Sequence, residues 1–479
     1  MSVPILRLFG TIVLLFAILA VWTTRWSVIE ADDLRDNALN KRPLFAQLHV
    51  KRGAIKAADG TLLARSVRGQ RGTFRRTYPT GALFGHPIGY ANVALQQLSG
   101  LERVRNDELS GTGDELSSLA DQLQGKRQQG DAIVTTLDAD AQRIATEQLA
   151  ATGSAGAVVA LDPRTGAVKV MASLPGYDPN ELGDPRRYRA LNTDPAAPLL
   201  DRATQGGYVP GSTFKVLTAA AALDSGQFTP DSVLDGSSPQ DISGVPMAND
   251  EGHSYGPIPL TTAMTYSVNT VFGQIGEQLG RETMGEYMER FGFYDKPPLD
   301  YPDEEMFASG ERLNGRLLPM SSRRVDVGRV AIGQDKLAVT PLQMAMVVAA
   351  VANRGVLMEP RLTERIVDPD GRVTRVEPRV ASRPISAETA DQLNVMMRSV
   401  VESGTGMAVQ LPGVSIAGKT GTAQVGTVGS NVTQPSFVAF APADDPRIAI
   451  AVTVERSQDG FGGTVAAPIA RAVLESLLN

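Results

Sequence analysis

The sequence predicts one large α/β (α+β) domain, reached through an amino-terminal membrane helix and a polar, mostly-β spacer. Three observations carry this. An uncharged apolar run opens the chain, "LFGTIVLLFAILAVWTT" from Leu8 to Thr24. From Ile29 to about Gly130 the sequence turns polar, Arg-rich and broken by glycine. From Asp131 to Asn479 apolar strands at both ends frame apolar helices, the pattern of a single mixed domain.

The apolar run lies between Arg7 and Arg25 and ends in Trp22 and Trp26. Its length is at the short end for a membrane span. No small-x-small cleavage site closes it, and tryptophans suit the interfacial belt, so an uncleaved anchor over residues 1–28 is expected. The segment 29–130 reads as a pedestal. "RGAIKAADGTLLARS", Arg52 to Ser66, gives two short strands about an Asp59-Gly60 turn. "DELSSLADQLQGKRQQG", Asp114 to Gly130, reads as a short helix and a loop. In the domain 131–479, "AGAVVALDPRTGAVKVMAS" is a hairpin over Ala155–Ser173. "STFKVLTAAAALDSG" and "PLQMAMVVAAVANRG" are helices closed by Gly226 and Gly355. Both are apolar around most of their circumference and therefore buried. "RIAIAVTVER" is a buried strand, and "APIARAVLESLLN" is the terminal helix.

Composition narrows function. The chain has 479 residues, a net charge of -6 and no cysteine, so disulfides, thiol nucleophiles and cysteine metal sites are excluded. No basic stripe suggests nucleic acid. His49, His86 and His253 are too far apart to read as a metal cluster. No cofactor is expected.

One stretch has two readings. In "PGVSIAGKTGTAQVG", Gly413, four residues and Gly418-Lys419-Thr420 match a phosphate-cradling loop. Lys419-Thr420-Gly421-Thr422 also matches the active-site strand of penicillin-recognising serine enzymes. A phosphate loop must lead into a helix, whereas the glycines and β-branched residues of "GTAQVGTVGSNVTQPS" oppose one. The serine-enzyme reading has partners upstream. In "YVPGSTFKVLTAAAAL", Ser212 and Lys215 are three apart, on one face of a helix that begins after Pro210-Gly211. Burial can make such a lysine a neutral base. In "TTAMTYSVNTVFGQIG", Ser267 and Asn269 project the same way from an extended or loop segment, able to relay a proton and orient the lysine. Seen alone, that tripeptide could equally be a turn or helix cap.

The order Ser212-x-x-Lys215, Ser267-x-Asn269, Lys419-Thr420-Gly421-Thr422 resembles the class B penicillin-binding proteins, the monofunctional D,D-transpeptidases of bacterial peptidoglycan. "RGAIKAADGTLLA" and "YPTGALFGHPIGYAN…LSGLE" look like that family's pedestal segments. "LDPRTGAVKVMASLPGYDPN" and "AIGQDKLAVTPLQMAMVVAAVANRGVLMEP" look like its catalytic core, most similar to the short actinobacterial members. The resemblance implies an antiparallel sheet between helix clusters and a dimerisation-type pedestal. It implies Ser212 as nucleophile, Lys215 as base, and Ser267 and Asn269 as relay and positioning groups. Lys419, Thr420 and Thr422 would hold the substrate carboxylate, with backbone N–H groups of Ser212 and Thr422 as the oxyanion site. Gly421 would leave room for a substrate along its strand. Stem peptides, lipid-linked precursor strands, β-lactams and a membrane glycosyltransferase are the partners implied, and carboxypeptidase activity the side reaction. The location implied is the bacterial plasma membrane, single-pass, with the catalytic domain extracytoplasmic. A β-lactamase, a membrane β-lactam sensor and a catalytically weak scaffold share the motifs. Two positions depart from the family: Asp335 in Gly333-Gln334-Asp335, where the third residue is usually glycine, and Ser436, near a frequent aromatic.

Overall fold

The computed structural model describes residues 3–30, 47–112, 129–425 and 431–479. The helix expected from Asp114 falls outside them, apart from its final two positions. The first helix, Val3–Thr24, has 22 residues and runs into a single π-turn, Arg25–Ile29. At about 1.5 Å per residue it is about 33 Å long, enough to cross a hydrocarbon core of about 30 Å. None of its side chains is buried, so nothing else in the described protein covers its apolar surface. Trp22 and Trp26 pack at 5.6 Å at its end, with the Arg25 guanidinium 5.2 Å from the Trp22 ring.

The large domain is built on an antiparallel sheet. Its main path runs Ala417–Gln424, Val432–Ala441, Ile448–Val454, Gly156–Leu161, Val168–Leu174. The expected hairpin is the pair Gly156–Leu161 and Val168–Leu174, and the expected late strand is Ile448–Val454. Strand alternation divides the side chains between two cores. Val158, Val170, Phe437, Ala439 and Ile450 face the helices Ala139–Ala150 and Ala467–Leu478. Val159, Met171, Val438, Phe440 and Ala451 face a larger core containing Lys215–Asp224 and Pro341–Ala352. In the second of these, Thr340 caps the start by accepting from Gln343 N at 3.1 Å, and Pro341 takes the first turn, where a missing N–H costs nothing. All twelve of its residues are buried, consistent with its lack of a polar face.

The pedestal strands do not close on themselves. Ile55–Lys56, Leu62–Arg68 and Phe74–Thr77 join a six-stranded sheet with Ala132–Thr135, Thr363–Val367 and Val373–Arg375. Strands on both sides of position 131 therefore share it, and two of them come from far downstream. Beside it Glu102 is fully buried and takes Arg52 Nε at 2.9 Å, the Arg76 guanidinium, and the Tyr78 phenol at 3.2 Å. Burial pushes the Glu102 carboxyl up, but the two guanidinium groups outweigh it and hold the pKa below its usual range.

Candidate active site

Pro210 and Gly211 break the chain and start a helix, as the sequence implies. Gly211–Phe214 is one 3-10 turn that continues into Lys215–Asp224. Gly211 has φ +53, a conformation glycine adopts without strain. Ser212 is thereby at the amino end of the helix, half-buried, where N–H groups favour a developing anion.

One turn on, Lys215 is fully buried. Its Nζ donates to Ser267 O at 2.7 Å and Asn269 Oδ1 at 2.7 Å, with Ser267 Oγ at 3.2 Å. Two short donated bonds account for both hydrogens of a neutral amine, leaving the lone pair for a proton. Burial drives the Lys215 pKa well below the usual lysine value, and the positive charge of Lys419 lowers it further. The carboxylate of Asp250 opposes this, and the Phe272 ring face, 5.3 Å from Nζ, also favours an ammonium. Burial wins. The geometry does not join Ser212 to Lys215 directly: among the described residues the Ser212 hydroxyl makes no hydrogen bond.

Ser267 and Asn269 converge on Lys215 from a short loop between two helices, the second of the two conformations expected. Ser267 lies between two helices at φ +59, and Asn269 is the first residue of the following helix. A serine in the left-handed region is uncommon and costs backbone strain. Here it turns the Ser267 carbonyl and hydroxyl toward the same ammonium. Asn269 Nδ2 donates to Ala248 O at 3.1 Å, fixing the amide with its oxygen toward Lys215.

Lys419-Thr420-Gly421-Thr422 lies within the strand Ala417–Gln424, paired along its length with Val432–Ala441. A lysine inside a strand cannot belong to a loop that opens a helix, so the phosphate-loop reading ends here. Lys419 is fully buried, its Nζ 3.1 Å from Thr420 O, and burial lowers its pKa to about 7. Thr420 Oγ1 lies 2.6 Å from Thr405 Oγ1, and Thr422 Oγ1 accepts from Gly462 N at 3.1 Å. Thr405 and Gly462 carry no sequence signal that marks them as partners of this strand.

Gly421 has an internal reason besides the one expected. A Cβ there would lie 2.3 Å from Ser436 Oγ and 2.8 Å from Pro210 O, both inside the protein. The glycine lets the strand press against the turn that carries Ser212. Ser436 is small and buried for the same reason and donates to Pro210 O at 3.3 Å. Gly421→Ala is therefore expected to push the strand off the turn, costing about 1–3 kcal/mol of stability and about 10²-fold in acylation rate. Melting curves and β-lactam labelling kinetics check both; an unchanged rate would show that this contact does not set the geometry.

The Gly333-Gln334-Asp335 loop also abuts the turn. Gly211 N donates to Gly333 O at 2.9 Å, and a Cβ on Gly333 would lie 2.0 Å from Gly211 O. Asp335 adopts φ +68, so aspartate occupies the left-handed conformation usual for glycine.

The comparisons agree with this geometry. Residues 156–475 match the family model "Penicillin binding protein transpeptidase domain", and residues 52–133 match "Penicillin binding protein A dimerisation domain". The chain is 35% identical to the peptidoglycan D,D-transpeptidase PbpA of Mycolicibacterium smegmatis, covering 100% of this chain and 99% of that protein. It is 34% identical to PbpA of Mycobacterium tuberculosis, with the same coverage. The crystal structure of penicillin-binding protein A from M. tuberculosis as a ceftriaxone acyl-enzyme superposes with a TM-score of 0.82 at 31% identity. It covers 91% of this chain and 100% of that one. The D,D-transpeptidase domain of a peptidoglycan glycosyltransferase from Eggerthella lenta gives 0.77 at 31% identity, over 90% and 98% of the two chains.

Proposed function

This chain belongs to the penicillin-binding proteins, as a peptidoglycan D,D-transpeptidase and β-lactam target of class B, and from that premise we propose how its residues divide the work. Neutral Lys215 takes the proton of Ser212 as Oγ attacks the carbonyl carbon of the D-Ala-D-Ala bond. The C–N bond breaks, and the proton passes through Lys215 and Ser267 to the departing D-alanine amine. The acyl group stays on Ser212 until the amine of a neighbouring stem peptide displaces it, restoring the serine hydroxyl. Backbone N–H groups of Ser212 and Thr422 hold the oxyanion. Lys419, with Thr420 and Thr422, holds the terminal carboxylate. Asn269 orients Lys215, and Gly421 keeps the strand against the nucleophile's turn.

The observation that carries this reading is the buried Lys215 amine, held by Ser267 and Asn269 one helical turn after Ser212. Two lysines share the site, and Lys419 favours the neutral form of Lys215. An ammonium on Lys419, where an anion must be bound, thus helps keep Lys215 free to act as base.

Among the described residues one helix, Val3–Ile29, is long and apolar enough to cross a membrane; in this reading it is the anchor in the bacterial plasma membrane, with the catalytic domain extracytoplasmic. Residues 29–130, with the later strands that complete their sheet, form the spacer that lifts the site toward its substrate. Lipid-linked precursor strands supply the stem peptides, and a membrane glycosyltransferase that makes those strands is the expected partner.

The test is intact-protein mass spectrometry after penicillin treatment, combined with a cross-linking assay on stem pentapeptides. One penicilloyl adduct on the wild type, none on Ser212→Ala, and a cross-linked peptide dimer with one D-alanine released are expected. An adduct without product would favour the scaffold reading. An adduct on Ser212→Ala would move the nucleophile elsewhere.

A further inference from the structure

Two carboxylates meet in the loop region that abuts the nucleophile's turn, and acyl transfer makes no use of them. Glu311 lies on the strand Gly310–Leu313 and is fully buried. Neither of its carboxylate oxygens makes a well-formed hydrogen bond among the described residues, and the Lys336 backbone N–H, near enough to favour its ionised form, is the weak donor it has. Its strand pairs with Leu337–Ala338, Glu311 opposite Leu337, and Arg312 N donates to Lys336 O at 3.1 Å; this register sets Glu311 beside Asp335, the acidic group it faces, and Lys336, the neighbouring cation. Asp335 Oδ2 accepts from Asp326 N at 3.2 Å, and Oδ1 pairs with Lys336 Nζ. The Tyr294 phenol also feels the Glu311 charge, and its polar neighbour is the Glu311 backbone, without a well-formed hydrogen bond. Arg312, next along the strand, stacks its guanidinium 3.8 Å from the Phe307 ring, and Arg316 on the adjoining strand is exposed.

A carboxylate buried with only a weak donor is costly, and two carboxylates, both acceptors, repel. One proton between them removes both problems, because a protonated carboxyl donates a short, charge-assisted bond to its ionised neighbour. Burial, with the Asp335 charge second, pushes the Glu311 carboxyl up to about 8. The proton is therefore in place at neutral pH.

Asp335 connects this pair to the nucleophile. It holds a left-handed conformation, φ +68, that only its own contacts can stabilise in a non-glycine residue. Just before it, Gly333 O takes the Gly211 N–H. Just after it, Val339 and Tyr208 exchange backbone bonds at 2.9 and 2.8 Å. The run from Gly333 to Val339 thus grips both ends of the segment from Tyr208 to Gly211 that leads into Ser212. We propose that Glu311 and Asp335 share one proton and act as a positioning pair, locking the loop against Gly211 and so setting the attack geometry of Ser212. When the proton leaves, two negative charges occupy the same enclosed space and the loop shifts off Gly211.

The test compares β-lactam acylation rates of the full chain, Glu311→Gln and Asp335→Asn between about pH 6 and about pH 9. Glutamine donates permanently to Asp335 and has no proton to lose, and with asparagine at position 335 the ionisation of Glu311 no longer sets two negative charges together. Both should match the wild type at the acid end. At about pH 9 the wild type should fall about tenfold relative to either, as Glu311 ionises. The ratio cancels the titrations of Lys215 and Lys419, which all three proteins share. A ratio constant across the range overturns the proposal, as does a loss in either variant that is equal at every pH. Should Glu311→Gln fail to fold, infrared spectroscopy decides with Asp335→Asn. The wild type must show a protonated-carboxyl stretch that titrates near pH 8, with its midpoint at least about one pH unit lower in the variant. An unshifted or absent band overturns the pair.

Discussion

Lys215→Arg is expected to lower the rate of β-lactam acylation by about 10³-fold or more while the protein remains folded. A guanidinium cannot give up its proton near neutral pH, so the base is removed while a cation is kept. The site is fully enclosed and its two short bonds are made to Ser267 O and Asn269 Oδ1; the broader arginine head strains it. Lys215→Met, close to lysine in length and without a basic atom, is the companion variant. Rapid-quench labelling read by mass, with a melting curve for each variant, measures the effect. A wild-type rate in either variant would show that another group takes the Ser212 proton. The same electrostatics predict a pH shift. Base catalysis rises as pH passes the lysine pKa, and Lys419 is one of the two causes that lower it. Lys419→Met should therefore move the acid limb of the acylation profile to higher pH.

A penicilloyl group on Ser212 is expected to persist for many minutes, clearing on the order of 10³-fold more slowly than a lactamase turnover of about 1 s⁻¹. Hydrolysis of that ester requires a water against the acyl carbon and a base to activate it. Lys215 and Ser267 are committed to each other on the nucleophile's side. Among the described residues the one acid whose field reaches Lys215 is Asp250, which is exposed on a 3-10 turn and in contact with solvent. In a cross-linking enzyme this poverty is useful, because water and the acceptor amine compete for one intermediate. The measurement is to acylate, remove free drug and follow the adduct mass. Recovery of unmodified protein within seconds would make the chain a hydrolase.

The residues proposed to carry the chemistry were legible as candidates because each motif is local. Ser212 and Lys215 are three apart, Ser267 and Asn269 two apart, and Lys419 to Thr422 are contiguous, so short spacing alone suggests what each group can do. The buried helices were legible for a similar reason: Pro341–Ala352 has no polar face to present to water. What sequence could not supply was contact between distant segments. Nothing near Thr420 points to Thr405, and nothing near Ser212 points to Gly333. Gly421 was read as clearance for substrate because its internal neighbours, Ser436 and Pro210, are distant in the chain. Ser436 and Asp335 looked like departures from a pattern. In the fold, one is small to admit the nucleophile's turn, and the other sustains a left-handed loop through its side chain.

The spacer's sheet also sets an order for biosynthesis. Ala132–Thr135 pairs with Thr363–Val367, so the strand leaves the ribosome about 230 residues before its neighbour, roughly 10–50 s at common elongation rates. For that interval one edge of the nascent sheet is open, a template for wrong partners. The region made first is thus among the last to be finished. Its completion waits on the strands that follow the buried helix Pro341–Ala352, so the spacer and the catalytic domain mature together. A carboxy-terminally truncated chain that stops before Thr363 would leave that edge permanently bare, a ready target for quality-control proteases.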